Sequence, residues 1–516
     1  MKSRKKKVLL WLPVLAMFLC IAFAGCTKEN GSVSDTDVSA GNRQEETSVL
    51  HLMSKKEYDY YWEQSMARTL AALQYPQIKF DDCCEQKYPA LVQSLSELNQ
   101  KEETEMLEMY HTIKADSVNI SSDSETYEAK QEVYVRRSDS SVFSLLYDTY
   151  YYGGGLHGYL SIQGENYNTK TGERLKLSDV VTDMNMLFSL VQASLETYYG
   201  ETAFYEDFTM ESYFKEQYED LVWVLDYQGI TFFFEPYQIA PYSEGTITVT
   251  LPYQKYPDLI KKEYQDVPDC YGMELSMNYP FYYDLDGDGQ MDELLVYGVL
   301  SEYDIYESYV IQWNGSRYEL ETYGYSMDPV LIHASNGKNY LYMQNTSDND
   351  WRIMNIFYFE NGSLYNVGSF DMGWHIVVDE NDEYYSTILT DPSNFILDTR
   401  TDMLSTLSGY KNYQISSNGL PESSEQWYTL ERQLEFTVLM PVKGTVVDEK
   451  TGNQKGERTL QAGEKVIYYR TDGESYADLR LLDGTIVRFM VSHDGWPYTV
   501  NGLNIEDVFE GLAFAG

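Results

Sequence analysis

Residues 150–177 read YYYGGGLHGYLSIQGENYNTKTGERLKL. Three tyrosines close one extended run, Gly153-Gly154-Gly155 and His157 turn the chain, and Tyr159, Ile162 and Tyr167 mark a second extended run. Asn-Thr-Lys-Thr-Gly-Glu at 168–173 supplies the next turn. A phosphate-cradling glycine loop would open a helix beside a Lys or Arg. This one runs into a strand and has no adjacent base. A histidine serving a nucleophile needs a Ser or Cys near it, and none neighbours His157. Gly154, Gly155 and His157 therefore read first as a fold-forming corner, because glycine permits positive φ and close backbone approach. A ligand-binding role for His157 is the second reading and catalysis the third.

Working outward, Tyr127–Tyr152 is strand-rich, and a helix precedes it with Leu91, Leu95 and Leu98 at i, i+4, i+7, continued by Met106, Leu107 and Tyr110. Residues 75–80 before it are strand-like. On the other side a helix is expected from about Asp183 to Tyr199, with Leu187, Val191 and Leu195 on one face and Gly200 as its stop. Strands return at 223–234, and Ile247, Val249, Leu251 and Tyr253 alternate. The stretch 51–268 reads as an α+β domain.

The order of a glycine pair and histidine, then YNTKTGERLKLSDV (167–180), then a helix, then GITFFFEPYQIAPYSEG (229–245) and TVTLPY (248–253) carries a resemblance. It resembles the extracytoplasmic domain shared by RsiV-type lysozyme-sensing anti-sigma factors and PdaC-type peptidoglycan deacetylases. Gly153 and Leu156 stand where that family has Thr and Ala. The resemblance implies an exported sensing or binding domain. The deacetylase activity of that family needs a separate domain with a histidine pair at helical spacing. The six histidines here, at 51, 111, 157, 333, 375 and 493, include no two within five residues. No catalytic residue is assigned.

The N-terminal residues place the chain. MKSRKKK carries five cations, 17 uncharged residues follow, and Phe23-Ala24-Gly25-Cys26 ends the run. A basic start, an apolar stretch and small residues before a cut make a secretory signal. Ala24-Gly25-Cys26 resembles the lipobox of bacterial lipoproteins, which implies lipidation of Cys26, signal removal as 1–25, and anchoring on the outer face of the cell membrane. Phe23 departs from the small aliphatic residue usual there. Residues 26–50 are polar, without aromatics, and read as a disordered tether.

The 516 residues carry a formal charge of -43 at pH 7, and the first 25 contain cations but no acid, so the remainder is more acidic still. That excludes nucleic acid as a natural partner. It favours cationic partners and divalent metals. The 49 tyrosines fit a β-rich exported protein. Outside the signal only Cys83, Cys84 and Cys270 remain, so at most one internal disulfide can form, and no zinc-site spacing is present.

Residues 281–298, FYYDLDGDGQMDELLVYG, set Asp284, Asp286, Asp288 and Asp292 at loop positions 1, 3, 5 and 9, with Gly289 at 6 and the Gln290 carbonyl at 7. Hard oxygens so spaced wrap one Ca²⁺. Leu295 stands where an EF-hand has its bidentate Glu, and a strand follows, so the loop resembles the calcium hairpins of integrin-type propeller blades. Asn314-Gly315 and Asn361-Gly362 each sit between apolar runs as hairpin turns, 47 residues apart. Residues 275–440 are expected as an all-β body, propeller-like or an open sheet. Residues 441–516, with turns at Gly473 and Gly484, resemble a small SH3-like barrel. The expected function is a non-catalytic surface lipoprotein binding cell-wall material or a cationic wall-active protein such as lysozyme. The alternatives are a glycan hydrolase with an unrecognised carboxylate site and a calcium-stabilised adhesin or scaffold.

Overall fold

The computed structural model describes residues 47–65, 67–118, 125–217, 221–303 and 305–514. The expected signal, the lipidation site Cys26 and most of the tether lie outside them. The chain begins with a long hairpin, β1 (Leu52–Glu63) and β2 (Arg68–Phe80), followed by the short α1 (Asp82–Lys87) and the 29-residue α2 (Pro89–Ser117). Pro89 opens α2 where its missing N–H costs nothing. Then come β3 (Tyr127–Ser138), β4 (Val142–Tyr152) and β5 (Tyr159–Asn168). β2 and β3 pair in parallel, with α2 as their crossover, and the other neighbours are antiparallel. The expected apolar stripe holds: Leu91, Leu95, Leu98, Met106 and Tyr110 are all buried, packing one face of the sheet.

After α3 (Leu177–Val180), α4 (Met184–Tyr199) starts on Asp183, whose carboxylate accepts from the Asn185 and Met186 N–H groups, and stops at Gly200 with φ +79°. Its face of Leu187, Val191 and Leu195 packs on a second, three-stranded sheet, β6 (Val222–Leu225), β7 (Gly229–Phe234) and β8 (Ile247–Pro252), beside α5 (Met210–Gln217). Gly164 of β5 has no room for a side chain: a Cβ there would stand 2.2 Å from the Trp223 carbonyl oxygen of β6.

The next strands are β9 (Tyr271–Glu274), β10 (Phe281–Tyr283), β11 (Asp292–Leu300), β12 (Tyr306–Trp313), β13 (Ser316–Gly324), β14 (Ser326–His333), β15 (Asn339–Ser347), β16 (Trp351–Glu360) and β17 (Ser363–Phe370). They form a four-stranded sheet, β10-β11-β12-β13, and a five-stranded one, β17-β16-β15-β14-β9. One core, including Leu294, Tyr309 and Trp313 from the first and Leu341, Met343 and Phe357 from the second, joins them. Both Asn-Gly pairs form two-residue turns with positive φ at each residue, closing β12–β13 and β16–β17 at matching places in the two sheets.

β18 (Gly373–Trp374), β19 (Ile376–Val378) and β20 (Tyr384–Thr387) follow. β20 returns to the first sheet and pairs with β1, Met53 opposite Thr387, so seven strands run β19-β20-β1-β2-β3-β4-β5. The remaining strands, from Phe395 onward, lie in a sheet of thirteen that runs past residue 441 without a break. The architecture is mostly β, with open sheets, its longer helices confined to the first 217 residues, and no closed barrel among the described residues. Among the described residues Cys83, Cys84 and Cys270 form no disulfide.

Candidate functional site

The acidic loop is the turn of the β10–β11 hairpin, where Tyr283 pairs with Asp292. Gly287 and Gly289 have φ of +77° and +86°, which bend the chain so the carboxylates converge. Carboxylate oxygens of Asp284, Asp286 and Asp292 lie within 4.8 Å of one another. Asp284 Oδ2 accepts from the Gly289 N–H at 3.1 Å. Asp292 accepts from the Leu285 N–H at 2.9 Å and from Asn314 Nδ2 at 2.6 Å. Oδ1 of Asp284 and Oδ1 of Asp286 are buried without any hydrogen-bond partner. Two orphaned carboxylate oxygens aimed into one turn fit a hard cation. Burial pushes the Asp284 and Asp292 carboxyls above the ordinary range. Asp288 and Gln290 are exposed, and Asp288 Oδ1 accepts from the Gln290 N–H at 2.7 Å. The structure thus brings together the carboxylates of Asp284, Asp286 and Asp292, while Asp288 and Gln290 are exposed.

The glycine-histidine corner joins β4 to β5. Gly154 and Gly155 have φ of +97° and +111°. A Cβ on Gly154 would stand 2.6 Å from Tyr127 Oη, and one on Gly158 would stand 2.3 Å from the Tyr150 ring. His157 is exposed, its Nδ1 lies 2.9 Å from the Gly158 carbonyl oxygen, and its ring stacks on Tyr242 at 4.8 Å. Tyr242 in turn meets Tyr237 at 5.3 Å. Leu156 is wholly exposed, and Tyr159, Tyr237 and Tyr242 are 57, 59 and 45% exposed. Tyr159 donates to Glu235 at 2.7 Å, a bond that with partial burial pushes the phenol up to about 12. The corner therefore shares a surface with the loop between β7 and β8. The motif order names both loops, but only the fold brings them together.

Beside the corner lies a polar cleft of about 670 Å³, lined by α2, the outer edge of β5 and Glu235. Gln163 Nε2 donates to Glu102 at 3.1 Å and to Glu165 at 2.8 Å, so one amide bridges two buried carboxylates. Both are otherwise engaged, Glu165 by Arg174 in a two-pronged pair and Glu102 by Lys101 and Gln131. No sequence signal marks this pair, because its members are scattered among 81 acids.

A family model described as "Protein of unknown function (DUF3298)" matches residues 178–254, the segment from α3 through β8. The fold is similar to a crystal structure of a DUF3298 family protein from Pseudomonas aeruginosa, at 14% identity and a TM-score of 0.30, covering 43% of this chain and 96% of that one. A DUF3298 family member from Bacteroides fragilis is similar at 16% identity and a TM-score of 0.29, covering 42% and 94%. No curated protein matches.

Proposed function

We propose that this chain is a non-catalytic, calcium-stabilised surface lipoprotein that binds cell-wall material or a cationic wall-active protein such as lysozyme. The observation that carries the reading is the exposed corner: Leu156 stands clear of the fold, and His157, Tyr242 and Tyr237 form a continuous aromatic surface beside it. Exposed apolar groups gathered from two loops on a rigid sheet mark a recognition surface. The charge of -43 draws a cationic partner toward it. The lipobox-like Cys26 supplies the membrane anchor, and the SH3-like C-terminal strands a second wall contact. Ca²⁺ in the 284–292 loop supplies the missing partners of Asp284 and Asp286 and stiffens the β10–β11 hairpin. The hydrolase alternative is weaker because Glu102 and Glu165 are both held by cations and amides.

The test is biolayer interferometry of the chain against lysozyme, with calcium, at low and at about 0.5 M salt, where the Debye length falls well below 10 Å. Binding that survives high salt and is lost in Leu156→Asp supports a shaped interface at the corner. Binding that disappears with salt in the native chain sinks the lysozyme reading.

A further inference from the structure

The face of the seven-stranded sheet that α2 leaves uncovered carries a second aromatic surface. Tyr58, Tyr60 and Trp62 occupy alternate positions of β1 and are 58, 65 and 54% exposed. Strand register extends their row across the sheet. Tyr58 lies opposite Gln74, which neighbours Lys130, which pairs with Tyr150; Tyr60 lies opposite Ala72, then Glu128, then Tyr152. Residues beside one another in register point to the same side. Burial agrees: the intervening Ala71, Leu73, Ala129 and Gln131 are buried toward α2. Ion pairs on the open face join Lys56 to Glu132 and Lys130 to Glu128, each at 2.8 Å, and Asp328 and Glu125 add negative charge beside Tyr58 and Tyr152.

Between Tyr58 and Trp62 the exposed side chains on this face of β1 are all aromatic. These large apolar groups are rings whose faces take C–H groups, and the phenols of Tyr58 and Tyr60 hydrogen-bond at the rim. The four residue steps of β1 from Tyr58 to Trp62 span roughly 14 Å, the length of a chain of rings rather than of one. We propose that this face binds an uncharged wall glycan strand, its sugar rings lying on Tyr58, Tyr60 and Trp62. The inference rests on the wall-binding reading and names its ligand class and its place, a surface distinct from the glycine-histidine corner.

The experiment titrates a hexamer of N-acetylglucosamine into the full chain, following tryptophan fluorescence and retention on immobilised glycan. The expected result is saturable binding that is insensitive to salt, weakened at least about tenfold in Tyr58→Ala/Tyr60→Ala/Trp62→Ala, a loss of about 1.4 kcal/mol or more. Retention reports the variant, which has lost the Trp62 signal, and Tyr323→Ala/Tyr325→Ala, exposed elsewhere, binds as the native chain does. Absence of native binding, or equal binding by the triple variant, overturns the proposal. Lysozyme binding measured on the same samples separates the two claims: a chain that holds lysozyme but no glycan keeps the corner's function and loses this one.

Discussion

Arg136 and Asp226 lie 90 positions apart and meet as a two-pronged pair, at 2.9 and 3.0 Å, both essentially excluded from water. The pair fastens β3 to the turn between β6 and β7, and Thr231 also donates to Asp226. Deleting one member leaves a buried charge alone, so Arg136→Met lowers stability by about 3–5 kcal/mol, read from the urea unfolding midpoint. Carboxyls at the same junction lack such a cation in direct contact. Glu274, bonded by the Val135 N–H at 2.9 Å, is pushed up to about 8 by burial, against the attraction of Lys56 and with Asp328 and Glu132 nearby. Asp148, bonded by Tyr279, Asn278 and Ser276, is pushed up to about 6, also by burial. A raised carboxyl takes up a proton on folding. Its contribution is therefore complete below the unfolded value near 4.5 and is lost as pH climbs through about 8. Unfolding midpoints fall between pH 5 and 8, and Glu274→Gln flattens that slope by up to about 1.4 kcal/mol per pH unit. An unchanged slope in the variant would remove Glu274 from the account. Nothing in the sequence marks these residues, because an acid's burial depends on which distant strand covers it.

At the scale of the element, local rules were enough wherever an element carries its own boundary signals. Asp183, the Leu187-Val191-Leu195 stripe and Gly200 delimit α4 as read, and the two Asn-Gly turns fix their hairpins. The acidic loop is legible for the same reason, since ligand spacing and glycine placement are local. What spacing could not show is which carboxylates come within 4.8 Å of one another: those of Asp284, Asp286 and Asp292 do, with Asp292 fixed at the start of β11. Calcium at 100 times its dissociation constant raises stability by about 2.7 kcal/mol through mass action. Thermal unfolding in calcium against chelator reads this as an upward shift in Tm. Asp286→Asn abolishes the shift while changing the calcium-free Tm little. A shift that persists in Asp286→Asn places the ion elsewhere. In α4, Leu195→Ala removes a fully buried side chain and costs about 2–5 kcal/mol by chemical denaturation.

The whole molecule is where sequence reading stops, because pairing between distant strands leaves no local trace. Residues 51–268 read as a domain of their own, yet β20, more than 300 positions on, completes their sheet beside β1. Lys55 reaches Glu383 at 2.5 Å, and Thr390 Oγ1 donates to the Leu50 carbonyl at 2.8 Å while its own carbonyl accepts from the Gly272 N–H at 2.8 Å. Arg137, buried beside Asp139, donates to the backbone carbonyls of Tyr264 and Asp266. Asp148 takes its bonds from residues 276–279. A fragment ending at 268 therefore uncovers the edge of β1 above Lys55 and leaves Asp148 without its three donors, an unsatisfied buried carboxyl worth about 1–3 kcal/mol or more. Residues 47–516 unfold in scanning calorimetry with the first sheet and the β9–β17 core melting together, whereas residues 47–268 melt at a lower temperature and aggregate through the exposed strand edge. A fragment that melts at the temperature of the intact chain would show that the returning strands lie on the first sheet without stabilising it. Co-melting in the intact chain would instead mean that calcium, by stiffening a hairpin of the middle body, also raises the melting temperature of the sheet that presents the corner and the aromatic face.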